Sequence, residues 1–250
     1  MEMETFILEK TLMIRTLCLS LVLSLAGSGL AQTPPAVPAQ HSSHAPSQAT
    51  PSAAEVWNSL MAGNRRFVAG KPQARDLVSL RQKLASGQSP KAIILSCSDS
   101  RVGPELIFDQ SLGDIFVVRT AGNVADAIAL GSIEYAVEHL HSPLLVVLGH
   151  QKCGAVNAAC SGEKMPSSNL DAIVEKIRPA VNQARTYAKA DDLVESAIKE
   201  NVHRSAMDLE ANSEIIRDAV KSRKLTVIEA EYELDAGRVV RLNAPASAQN

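Results

Sequence analysis

The chain has 250 residues, 46% of them hydrophobic and 21% charged, enough for one sizeable core or two modest ones. Lys+Arg 25 against Asp+Glu 27 leaves a net charge of -2, which argues against a nucleic-acid binder held by phosphate neutralisation, and 3% aromatics argue against a stacking platform. Four cysteines in this length exclude a disulfide-stapled miniprotein but leave room for a metal site or a catalytic thiol.

Residues 1–31 read as a secretory signal peptide. The apolar run Leu17 to Ala26 is short of the about 20 residues that a membrane span needs. Arg15 precedes it, and Gly29-Leu30-Ala31 offers small residues where a signal peptidase reads, with cleavage expected after Ala31. Glu2, Glu4 and Glu9 make a poor n-region and Met13-Ile14-Arg15 a good one, so Met13 competes with Met1 as the start. The expected destination is the periplasm or the exterior, with no stable membrane insertion once the signal is removed. Residues 32–53, rich in Pro, Ser and Ala, read as a flexible linker in which His41 and His44 are solvated. The folded domain is expected over 54–243, with a flexible tail at 244–250.

Within that domain two periods alternate. A helical arm is predicted over about Ala54 to Ala69. Ala92 to Cys97, Ile115 to Arg119, Leu144 to Gly149 and Leu225 to Ala230 are short apolar runs, the pattern of buried parallel strands. Between them, Ala127 to Leu140 places Ile128, Ile133, Ala136, Val137 and Leu140 on one helix face. Leu170, Ile173, Val174, Ile177 and Val181 follow amphipathic helix spacing, and Leu193 to Lys221 reads as one or two further helices. Tyr232 to Val239 predicts a hairpin that adds an edge strand. The fold class is therefore α/β: an open, mostly parallel β-sheet flanked by helices, with an N-terminal helical arm and an antiparallel edge strand.

Open α/β sheets bind ligands at the C-terminal ends of their strands, and polar residues gather there. The first strand ends in Cys97-Ser98-Asp99-Ser100-Arg101 and the third in Gly149-His150-Gln151-Lys152-Cys153-Gly154. Two thiols and one imidazole on neighbouring strand ends make a Cys2His set; three protein ligands leave one position for water, the pattern of catalytic zinc. Cys160 is the available fourth donor, but a helix starting at Gly154 would carry it out of reach. Asp99 and Arg101, two residues apart, can pair, and an aspartate held by arginine stays ionised and can orient a metal-activated water.

Longer stretches around these residues carry a resemblance: Gly63 to Phe67, Gly87 to Lys91, Ser96 to Arg101 with Val102 and Pro104-Glu105, Leu112-Gly113-Asp114, Val118 to Asn123, Gly131 to Val137, and Gly149 to Val156. Over about residues 54 to 242 the chain resembles a bacterial β-class carbonic anhydrase. The resemblance implies reversible CO2 hydration to bicarbonate, with one Zn2+ per chain on Cys97, His150 and Cys153. Asp99 and Arg101 would form the catalytic dyad beside it. Gln88 would donate a hydrogen bond to bicarbonate, Phe116 and Tyr135 would wall the pocket, and Gly122 would stand among the substrate-binding residues. The trio Gln88, Phe116 and Tyr135 looks like the plant-type branch. The implied assembly is a homodimer or a tetramer of dimers, with the pocket at the dimer interface, so some of these residues would serve the neighbouring subunit's zinc. Two other readings stand beside it: a CS2 or COS hydrolase on the same scaffold, and a non-catalytic zinc-binding or thiol protein in which Cys97 and Cys153 pair on oxidation.

Overall fold

The computed structural model describes residues 51–242. The expected signal peptide, nearly all of the linker and the tail at 244–250 lie outside the described residues. Among those described, no helix is long and apolar enough to cross a membrane.

The architecture is the expected one, a five-stranded sheet in the order β2-β1-β3-β4-β5, where β1 is Ala92–Cys97, β2 Ile115–Thr120, β3 Leu144–His150, β4 Thr226–Tyr232 and β5 Val239–Arg241. The first four strands are parallel, and β5 runs antiparallel to β4 at the edge. Every residue of β1 and β3 is buried. That follows from covering both faces: a parallel sheet with crossovers has no wet side, so its strands carry runs of Ile, Leu and Val rather than an alternation.

One face, with Ile94, Val146 and Leu148, packs on α1 (Ala53–Val68) and the short α3 (Pro104–Ile107). Between these two, α2 (Leu77–Leu84) leads towards β1. Ser52 and Glu55 cap α1 reciprocally. Where α1 crosses α3, Gly63 lies so close that a Cβ would sit 1.8 Å from the Phe108 carbonyl oxygen. Next to it the buried Asn64 donates to the Ile107 and Gly237 carbonyls and accepts from the Val239 N–H, which ties the edge hairpin to the arm.

The other face, with Ile93, Leu95, Leu145 and Val147, is covered by α4 (Ala127–Glu138), α7 (Leu193–Asn212) and α8 (Glu214–Lys221). The predicted stripe on α4 holds for Ile133, Ala136 and Val137 but not for Ile128, which is 80% exposed. Ile128 lies five residues before Ile133, about 140° around the helix, so it falls off the buried face that Ala129 in the same turn joins. The span 193–221 resolves into two helices because Ser213 adopts an extended backbone (φ -128°, ψ 120°) and its hydroxyl accepts from the Ile216 N–H. A third cluster, at the C-terminal ends of β1 and β3, joins Cys97 and Cys153 to α5 (Gly154–Ser161), α6 (Ser168–Ala184) and α7. The predicted stripe of α6 is buried at Val174, Ile177 and Val181, while Leu170 is exposed.

Glu231 on β4 is a buried carboxylate beneath α7, with Lys199 3.8 Å away and one oxygen without a hydrogen-bond partner among the described residues. Burial, reinforced by Glu195, pushes its pKa up to about 8. A carboxyl that titrates higher in the folded chain than in the unfolded one binds the extra proton only when folded. Its contribution is therefore stabilising below the unfolded value and is lost as pH rises through about 8. Glu231→Gln is expected to raise the thermal midpoint relative to wild type at pH 9, by about 2–4 °C for each 1 kcal/mol recovered. At pH 4 the gain should vanish; thermal melts at the two pH values check it.

Candidate metal centre

Cys97 is the last residue of β1 and His150 the last of β3, the strand beside it; Ser96 pairs with Leu148 in register. After His150, Lys152 takes a left-handed conformation (φ 55°), and the turn returns the chain so that Cys153 caps α5. One ligand atom from each of Cys97, His150 and Cys153 then lies within 4.8 Å of the others, and all three residues are buried. Cys160 lies near the end of α5, half-buried and outside this group.

The donors fit zinc. Tetrahedral zinc at ordinary Zn–S lengths sets two thiolates about 3.8 Å apart, and the Cys97 and Cys153 sulfurs are 4.0 Å apart. His150 Nδ1 lies 2.8 Å from the Gln151 carbonyl oxygen, which makes Nδ1 the protonated nitrogen and leaves a lone pair on Nε2. Nε2 is fully buried and has no hydrogen-bond partner among the described residues. An orphaned buried acceptor is costly unless something binds it, and a metal ion would. The thiols are primed unequally. Cys97 is pulled down, chiefly by its hydrogen bond with Cys153, while the same contact and then burial push Cys153 up. The pair thus shares one proton, which a metal would displace.

Asp99 lies just past β1. Arg101 grips its carboxylate with both arms, Nε to Oδ1 at 2.9 Å and Nη2 to Oδ2 at 2.8 Å, and the Arg101 N–H also donates to Oδ1. That grip holds the Asp99 carboxyl well below the usual carboxylate range. Its Oδ2 is 4.0 Å from His150 Nε2, so an ionised oxygen stands beside the donor cluster. From β2, Arg119 pins this segment by donating to the Cys97 and Asp99 carbonyls at 3.0 and 2.7 Å. In the single-turn 3-10 helix Ala121–Asn123, the Gly122 N–H donates to Cys97 Sγ at 3.3 Å. Arg119 was legible only as part of a motif. Its role as a clamp needs the parallel register that sets Ser96 beside it.

The other expected site residues stand elsewhere in the chain. Gln88 is exposed in the segment leading into β1, at the end of the strand opposite Cys97. Phe116 pairs with Ile93, four residues short of Cys97 along β1, or about 13 Å. Its ring lies 6.4 Å from that of Tyr135, which is 48% exposed and 5.1 Å from the His139 ring. One chain therefore gathers the metal donors with Asp99 and Arg101, and keeps Gln88, Phe116 and Tyr135 apart from them.

Residues 92–239 match the carbonic anhydrase family profile. Carbonic anhydrase 2 of Mycobacterium tuberculosis is 45% identical over 189 residues, covering 74% of this chain and 90% of that protein. Among solved structures, the β-carbonic anhydrase CcaA superposes with a TM-score of 0.62 at 26% identity, over 78% of this chain and 95% of its own. One of two tetrameric β-carbonic anhydrases from Sordaria macrospora superposes with a TM-score of 0.61 at 25% identity, over 76% and 98%.

Proposed function

This chain belongs to the carbonic anhydrase family, in its β class, and on that premise we propose that it hydrates CO2 reversibly at a zinc ion held by Cys97, His150 and Cys153. The observation that carries this reading is the orphaned Nε2 of His150 facing two sulfurs 4.0 Å apart. When bound, zinc supplies the Lewis acidity that makes water a nucleophile near neutral pH.

The chain's own residues do the rest. Asp99, kept ionised by Arg101, accepts the hydrogen bond of the attacking water and so aims its lone pair at the carbon of CO2. Arg101 in turn is fixed by the carboxylate it holds. The thiolates lower the positive charge of the centre, and the Gly122 N–H on Cys97 offsets part of that donation.

The functional unit is a homodimer. A chain that holds its donors at one end of β1 and Gln88, Phe116 and Tyr135 towards the other completes a pocket when a second copy supplies them. Leu106, Leu112 and Ile128, together with Tyr135, are large exposed apolar residues, the material of such an interface. Gln88 would then donate to bicarbonate while the two rings form an apolar wall suited to uncharged CO2. The trio, with Asp99 turned towards Arg101, supports the plant-type branch. The leader at 1–31 supports export to the periplasm or beyond.

Stopped-flow CO2 hydration on the chain from Gln32, purified under reducing conditions with zinc counted in the same sample, tests the assignment. Fast turnover with about one zinc per chain is expected. Full zinc without CO2 turnover at neutral and alkaline pH would overturn it in favour of CS2 or COS as substrate, or of zinc storage.

A further inference from the structure

One buried polar side chain near the donors has no part in the assignment above. Asn201, on α7, is 2% exposed and sits on a buried helix face with Ala197, Ile198, Val202, Ser205 and Leu209. A buried amide on such a face is costly unless its hydrogen bonds are made. Its Nδ2 donates to the Gly122 carbonyl at 2.7 Å, across 79 residues of sequence. One helical turn on, the buried Ser205 receives a weaker contact from Asn123 Nδ2 at 3.5 Å. Helix α7 thus holds the 121–123 turn at two successive points.

What the turn presents is the Gly122 N–H, aimed at Cys97 Sγ. Its conformation is demanding. Gly122 has φ 67°, a Cβ there would lie 2.7 Å from Ile177 Cδ1, and Asn123 is also left-handed at φ 47°. The Thr120 hydroxyl donates to the Val124 carbonyl at 2.6 Å across this turn, and the two consecutive left-handed residues between them still need support from outside it. The carbonyl of Gly122 is the handle by which α7 holds them.

We infer that Asn201 is a positioning residue of the metal centre: by holding the Gly122 carbonyl it fixes the backbone dihedrals of that residue, so that its N–H stays bonded to the Cys97 thiolate. The inference rests on Cys97 being a metal ligand. A hydrogen bond to a ligating sulfur draws electron density from it and leaves the metal more acidic. Removing such support typically costs about 10–100-fold in activity or metal affinity.

The test is cobalt-substituted protein carrying Asn201→Leu, with Leu209→Ala as a core truncation that leaves the centre alone. Without the N–H, the Cys97 sulfur gives up an electron more easily. The sulfur-to-cobalt charge-transfer band should move to longer wavelength in Asn201→Leu, and kcat/KM of the zinc form should fall about 10-fold or more. Leu209→Ala should lower the thermal midpoint and leave the band in place. Asn201→Ala, which leaves a gap in place of an apolar side chain, is read the same way if the leucine variant does not fold. A band unmoved in the Asn201 variants, with only the midpoint lowered, overturns the inference and leaves the zinc assignment standing. A wild-type chain showing no sulfur-to-cobalt band overturns both.

Discussion

Cys153→Ser is expected to hold almost no zinc and to hydrate CO2 no faster than buffer. Apparent zinc binding free energies run about 10–16 kcal/mol for full donor sets, so each of three donors carries roughly 3–5 kcal/mol, or about 10²–10⁴ in affinity. The structure makes the loss unrecoverable locally. Cys153 is 1% exposed, so no outside donor reaches its place, and Cys160 lies near the far end of α5. A serine hydroxyl is a poor substitute because it remains protonated at neutral pH. The fold should persist, since the serine is nearly isosteric and β1 and β3 stay paired. Zinc counted by atomic emission, alongside circular dichroism, checks the point; a folded variant with full zinc would refute the donor assignment.

Asp99→Asn tests the other half of the centre. It should keep about one zinc per chain and lose about 10²–10³ in kcat/KM, the range for removing a positioned proton acceptor or its electrostatic equivalent. The argument is geometric. Arg101 engages both carboxylate oxygens and faces solvent on its outer side, while Oδ2 also approaches His150 Nε2. An amide at 99 keeps one acceptor for Arg101 but turns an NH2 either towards that cation or towards the attacking water, and both arrangements are wrong. Zinc content should not change, because Asp99 is outside the group formed by Cys97, His150 and Cys153. Unchanged turnover would remove Asp99 from the reaction.

The strands and the donor triad were legible because each is written locally. Six consecutive buried residues in β1 match an uninterrupted apolar run, and the donors follow directly at the strand ends. One expectation failed on the period itself: Ile128 is five residues before Ile133, about 140° around the helix, so it faces away from the stripe that Ile133, Ala136 and Val137 form. Asn201 is invisible to spacing, since a polar residue on a helix reads as a solvent face until the contact with Gly122 is seen. The separation of Phe116 from the donors is a property of the strand register, which periodicity does not contain.

Sheet order also governs when the donors can meet. The first strand in the chain, β1, lies inside the sheet between β2 and β3, so its partners are both made after it. Cys97 and Cys153 are 56 residues apart. Bringing such distant points together in an open chain costs roughly 3–4 kcal/mol of loop entropy, so the unfolded chain would hold zinc more weakly than the folded one. The pace of folding is set by long-range parallel pairing. Zinc bound at the native centre would stabilise the finished topology by mass action and lengthen its lifetime. In a compartment short of zinc, that shape would be lost sooner.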